Sequence, residues 1–169
     1  MTHPEIESGN PPAVYREART IAEFVDAVRI RVNVFIVEQD CPPGWEPDDL
    51  DKESTQYVCI RDGRIVATGR LREDRPRSLK IERMAVCREM RGMGIGEGLT
   101  RFITERALEC QPERIWMEAQ AHLRMFYERT GFHAVSDEYD LFELGIQHVA
   151  MEYSPTFTTQ AQQVAGSPR

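Results

Sequence analysis

The chain has 169 residues, a net charge of −7, 41% hydrophobic and 29% charged residues. That is enough chain for one sizeable core and too apolar for a disordered polymer, while four cysteines are too few for a disulfide scaffold. No apolar run approaches the ~18 residues of a membrane span, the polar, proline-rich N-terminus lacks a signal-peptide core, and the acidic balance disfavours nucleic acid. A cytoplasmic protein with no membrane or nucleic-acid partner is expected, as monomer or homodimer.

Residues 1–12 read as a flexible arm, 13–153 as a single domain and 154–169 as a flexible tail. Ala13–Ala18 is a short strand candidate. Thr20 can cap a helix, with Glu23 as its capping-box partner. Ile21, Phe24, Val25, Val28, Val32, Phe35 and Ile36 then keep helical period to about Gln39. Cys41-Pro42-Pro43-Gly44 ends that helix, and an acidic loop runs to Thr55. Strands are expected at Gln56–Ile60 and Arg64–Arg72, joined by an Asp62-Gly63 turn, and at Leu79–Val86. A helix to Cys110 follows a glycine-rich turn. Then come a strand at Glu113–Ala119, a helix at His122–Thr130 closed by Gly131, and strands at Phe132–Val135 and Gln147–Tyr153. The expected fold is α+β: a mixed, mostly antiparallel sheet of about seven strands flanked by helices.

Charge is segregated along the chain. Glu38–Glu53 holds seven carboxylates against Lys52, a local −6, whereas Arg61–Arg91 holds ten basic residues against five acids. Either run can be a solvated face or a ligand surface. The four cysteines and four histidines are scattered, with no C-x-x-C pair, so neither a zinc site nor a disulfide framework is indicated.

The sharpest local signal is Arg91-Gly92-Met93-Gly94-Ile95-Gly96 between a strand and a helix. The first amides of a helix have no intrahelical partner, and with the dipole behind them they form an anion site that suits a pyrophosphate. No G-K-[ST] follows, so this is not a P-loop, and it does not fit the dinucleotide fingerprint. It does fit [RQ]-x-x-G-x-[GA] through Arg91, Gly94 and Gly96; the bland alternative is a merely loosened helix start.

With Lys80-Ile81-Glu82-Arg83-Met84-Ala85-Val86 before this turn, and Phe126-Tyr127-Glu128-Arg129-Thr130-Gly131-Phe132 after it, the chain resembles the GNAT superfamily of acetyl-CoA-dependent N-acetyltransferases. Val34–Gln39, the acidic loop and Glu143–His148 resemble its ElaA-like branch. The resemblance implies a sheet splayed in the middle and direct transfer of acetyl from acetyl-CoA to a primary amine, without a metal. It places the CoA pyrophosphate on the amides of Arg91, Gly92, Met93, Gly94, Ile95 and Gly96. The pantetheine arm falls along Met84, Ala85 and Val86, with an amide near Val86 polarising the acetyl carbonyl. Tyr127 corresponds to the tyrosine that protonates the departing thiolate. Gln120 stands where the family often has an asparagine that bonds the pantetheine.

Three residues compete as base. Glu82 alternates with Met84 and Val86, which would set all three on one face; the alternative for Glu82 is an ion pair with Arg70 or Arg72. Glu38 ends the first helix, and His148 lies on the last strand. Asp48, Asp49 and Asp51, with Glu38 and His148, are candidates for drawing in a cationic acceptor such as a polyamine, an amino sugar or a basic peptide terminus. Attack through the Cys87 thiol is a minor alternative. So are a non-catalytic acyl-CoA-binding domain and an interaction surface formed by the acidic loop and Trp45.

Overall fold

The computed structural model describes residues 12–154. The expected arm and tail fall outside those residues, apart from Pro12 and Ser154. Eight strands form one sheet: β1 (Val14–Glu17), β2 (Thr55–Arg61), β3 (Arg64–Arg75), β4 (Ser78–Val86), β5 (Arg114–Gln120), β6 (Phe132–Ala134), β7 (Tyr139–Asp140) and β8 (Gln147–Tyr153). Their order is β1-β2-β3-β4-β5-β8-β6, with β7 also on β8. All neighbours are antiparallel except β4 and β5. Fold class and element order match the expectation, with the two-residue β7 in addition.

Helix α1 (Ile21–Arg31) starts at Thr20, whose Oγ1 accepts from the Glu23 amide at 3.2 Å. The Glu23 carboxylate does not close the box onto Thr20. It accepts from the Arg19 amide at 2.6 Å and takes the Arg16 guanidinium. The coil continues as a wider π-helical segment, Val32–Glu38, and the Cys41 amide returns to the Phe35 carbonyl. Such widened turns displace the following side chains around the axis and are frequent at functional sites.

Helix α2 (Ile95–Glu109) buries Ile95, Leu99, Ile103 and Ala107 against the opposite face of the sheet. The short α3 (Arg124–Glu128) lies on that same face, Tyr127 and Phe132 belonging to the same core. Its coil is shorter than the sequence suggests, because Ala121–Leu123 forms a 3-10 turn before it. The α1 face is covered by Ile30 and Val34 packed on Ala85. A sheet between two helical layers results.

Two irregularities shape the centre of the sheet. First, β4 and β5 pair in parallel at Ser78↔Arg114, Leu79↔Ile115 and Lys80↔Trp116, and beyond Lys80 they diverge. Second, the β3–β4 register shifts between Thr68↔Ala85 and Arg70↔Glu82, so that one extra residue of β4 bulges opposite Gly69. Arg83 sits at that bulge with φ +55°. The bulge breaks the simple alternation. Met84 and Val86 pack with the α2 core, and a side chain at Gly69 would overlap Met84 and Ile103. Glu82 and Arg83 instead stand on the α1 face, with Arg70 and Asp48. The expectation that Glu82 shares a face with Met84 and Val86 is therefore corrected.

Candidate active site

The divergence of β4 from β5 opens a cavity of about 300 Å³. Met84, Met117, Ala119, Gln120 and Tyr127 line it near the sheet, and Phe35, Trp45, Leu50, Leu141, Phe142 and Ile146 line its outer part. The Cys87 amide donates to Val66 in β3. Backbone alternation then turns the amide and carbonyl of Val86 toward the open edge of β4. The Arg91 Nε occupies that carbonyl at 3.1 Å.

The glycine turn abuts the end of β4. Gly92 and Gly94 have φ +77° and +75°, with open space where a Cβ would stand. Their conformation, rather than crowding, demands glycine. Gly94 caps α2 in the left-handed region and offers no side chain over the first-turn amides. Space is tight at Gly96, where a Cβ would come within 3.3 Å of the Phe126 ring. The result is a bare helix N-terminus beside Arg91, an arrangement that fits a pyrophosphate. Glu38, expected near the acceptor, is instead paired with Arg91 at 2.8 Å and does not line the cavity.

Tyr127 is buried, its ring edge-on to Phe126 and Phe132. Burial pushes its hydroxyl up to about 12, so it stays a proton donor through the neutral range. Gln120 donates to Gln39 Oε1 at 2.8 Å, bridging β5 to the end of the π-helical segment. His148 is buried, and its Nδ1 lies 2.8 Å from the Ile146 carbonyl, which makes that nitrogen the donor. Burial raises the Cys87 thiol and reduces its thiolate fraction, which weighs against a nucleophilic role.

The acidic loop is not a free anionic surface. Asp48 caps the 3-10 turn Asp49–Glu53 by accepting from Leu50, while Asp51 accepts from the Asp48 amide. This directs Asp48 and Asp51 inward, onto two fully buried arginines. Arg31 of α1 grips Asp51 with two bonds of 2.6 and 2.9 Å and also bonds Glu46. Arg70 of β3 reaches Asp48, Asp51 and Glu82. Arg83 contacts Glu46 and Asp48, Arg72 contacts Glu82, and Lys80 lies between Glu82 and Glu118 at 3.3 and 2.5 Å.

Burial raises Asp51, but the Arg31 and Arg70 bonds outweigh it and hold the carboxyl at about 2. Burial likewise opposes Asp48 and Glu82, and their arginine partners hold both below the usual carboxylate range. Glu46 goes the other way, raised by burial despite Arg31 and Arg83. Asp49 is exposed and meets Lys52, so it takes no part.

Sequence reasoning missed Glu118. It lines the cavity on β5, opposite Glu82 across the fork, and accepts from Lys80 and from the Tyr139 hydroxyl at 3.0 Å. Period-2 alternation with Gln120 would have found it. Trp45, considered as a contact surface, packs edge-on against Phe142 at 4.7 Å over the cavity mouth.

A forked sheet, a glycine-capped helix at the fork and a buried tyrosine facing it define an acyl-CoA N-acyltransferase fold, and the comparisons agree. The GNAT acetyltransferase domain matches residues 32–155, and the chain belongs to that family. It is an acyltransferase of the ElaA-like branch. Escherichia coli ElaA is 29% identical over 136 residues, spanning 78% of this chain and 88% of that protein. The uncharacterized N-acetyltransferase YjcF of Bacillus subtilis is 28% identical over 135 residues, 79% and 94% of the two chains. Among solved structures, E. coli ElaA superposes with a TM-score of 0.73 at 26% identity, covering 85% of this chain and all of that one. An acyl-CoA N-acyltransferase from Pseudomonas aeruginosa gives 0.72 at 28% identity, with the same coverage.

Proposed function

We propose that the protein transfers acetyl directly from acetyl-CoA to a primary amine, the two substrates meeting in the fork from opposite faces of the sheet. The supporting observation is the placement of groups on those faces. The bare α2 N-terminus and Tyr127 lie on one side. Glu82, Glu118 and the aromatic mouth lie on the other.

Acetyl-CoA supplies the activated acetyl group when bound. The amides of residues 91–96 and Arg91 hold its pyrophosphate, for which Arg91 must exchange Glu38 for the phosphates. The open edge of β4 at Met84 and Val86 offers main-chain bonds to the arm, with Gln120 on the facing strand. Tyr127 delivers its proton to the thiolate as the amine displaces it.

Glu82 is a poor proton acceptor in this setting, because Arg70, Arg72 and Lys80 all stabilise its charged form. Glu118 takes that role in the reading proposed here. Among charged groups it contacts Lys80, and it is the more exposed of the two carboxylates at the fork. His148 helps shape the acceptor side through its contact with Phe142.

The test is thiol release from acetyl-CoA with a panel of primary amines, comparing wild type with Tyr127→Phe. Turnover should fall by about 10²–10⁴ with acetyl-CoA affinity retained, the range expected for a lost general acid. Calorimetric binding of acetyl-CoA without thiol release for any amine would identify a non-catalytic binding domain instead.

A further inference from the structure

We infer that the acceptor is a primary amine carried on an aromatic or branched aliphatic body, selected by the apolar mouth of the cavity rather than by charge. The inference rests on the transferase reading above and narrows its acceptor. Two observations carry it together.

The first is charge balance. Arg31, Arg70, Arg72, Lys80 and Arg83 form one continuous network with Glu46, Asp48, Asp51, Glu82 and Glu118. Five cations meet five carboxylates, and every member has an opposite partner inside the network. The steep local −6 of the sequence is thus cancelled where it faces the cavity. A neutral network gives a polycation no Coulombic advantage over a monoamine, and each extra ammonium brought in must lose hydration without gaining a free carboxylate.

The second is the mouth itself. Phe35, Trp45, Leu50, Leu141, Phe142 and Ile146 arrive from three separate segments: the π-helical extension, the acidic loop and the β7–β8 loop. The last is tied down by Asp140, whose carboxylate accepts from the Leu144 and Gly145 amides at 3.1 and 2.6 Å. Phe142 remains 43% exposed and Leu50 38% exposed, so apolar surface faces solvent beside the cavity. Trp45, Phe142 and His148 stand in a row of edge-to-face rings. An aryl or branched alkyl group entering there covers that surface, while its amine reaches the polar fork beyond. Covering apolar area is the favourable exchange left once charge is balanced.

The experiment pairs binding with turnover. Phenethylamine, isoamylamine, propylamine and spermidine are titrated calorimetrically into the CoA-saturated protein, then compared as acceptors at low and high salt. Phenethylamine and isoamylamine should exceed spermidine by at least about tenfold in affinity and in kcat/KM. Their KM should be nearly independent of salt. Trp45→Ala and Phe142→Ala should narrow the gap between phenethylamine and propylamine, and Phe142→Leu should largely keep it. Preference for spermidine with strong salt dependence would overturn the inference and leave the transferase intact. Selective binding of the apolar amines without thiol release would support this acceptor class while overturning catalysis. Equal binding of all four amines would refute the inference whatever the turnover.

Discussion

Replacing Arg31 by Met should expose how much the acidic loop depends on one buried guanidinium. Arg31 is fully buried and holds Glu46 and Asp51, whose side chains are 2% and 7% exposed. Met fills much of the volume but removes the charge and every donor, leaving two carboxylates facing each other in a dry site, with Arg70 and Arg83 as their remaining cations. Breaking a buried pair in this way costs about 3–5 kcal/mol. Holding Asp51 at about 2 rather than 3.8 is alone worth on the order of 2 kcal/mol.

Urea unfolding followed by circular dichroism measures the loss, and for a domain of this size it corresponds to a fall in Tm of roughly 10 °C. The pH dependence should invert. In the wild type, Asp48, Asp51 and Glu82 have depressed folded values, so their stabilisation is complete above the unfolded carboxylate range near 4 and is lost as pH falls toward 2. In Arg31→Met the carboxyls of Glu46 and Asp51 should rise above their unfolded values, so acidifying from pH 7 to 5 should recover part of the loss. A variant within 1 kcal/mol of wild type at pH 7, or one that weakens further on mild acidification, would refute the uncompensated-charge argument.

Other substitutions separate the remaining roles. Gly96→Glu should abolish acetyl-CoA binding in calorimetry, since its side chain starts 3.3 Å from Phe126 and adds negative charge at the anion site. Glu118→Gln should lower kcat/KM by about 10²-fold or more while acetyl-CoA affinity is retained. Glu82→Gln should act mainly on stability, because it strips a partner from Arg70, Arg72 and Lys80. Asp49→Asn should change stability by no more than about 0.5 kcal/mol and leave acceptor KM unaltered, as its carboxylate is exposed on Lys52.

Local chemistry was the legible part of this chain. Gly92 and Gly94 announce their turn and Thr20 announces its helix, because each signal lies within a few neighbouring residues, and the short motifs Arg91–Gly96 and Phe126–Phe132 carry the family resemblance. The face of Glu82 was not legible. Strict alternation predicts one face for all three, but one extra residue at Arg83 moves Glu82 away from Met84 and Val86. Nor was the fate of the acidic loop. Its partners Arg31 and Arg70 lie 20 and 19 residues from Asp51 and reach it through a helix and a strand that composition cannot juxtapose. Glu38 was misplaced for the same reason, its partner Arg91 being 53 residues away.

The fork gives the sheet two unpaired edges in its interior, facing one another across a gap they are chemically able to close. Open strand edges invite pairing, and proteins ordinarily blunt them with bulges and inward-pointing charge. Both devices are present here: the kink at Arg83 turns β4 out of register, and Lys80, Glu82 and Glu118 stand at the point where the strands part. The same residues that border the reaction space therefore act as a spacer against the protein's own tendency to zip. Deleting Arg83 would restore regular pleating to β4 and let it run on along β5. The expected product is a flatter sheet with a narrowed slot, destabilised by the loss of a cation from Glu46 and Asp48.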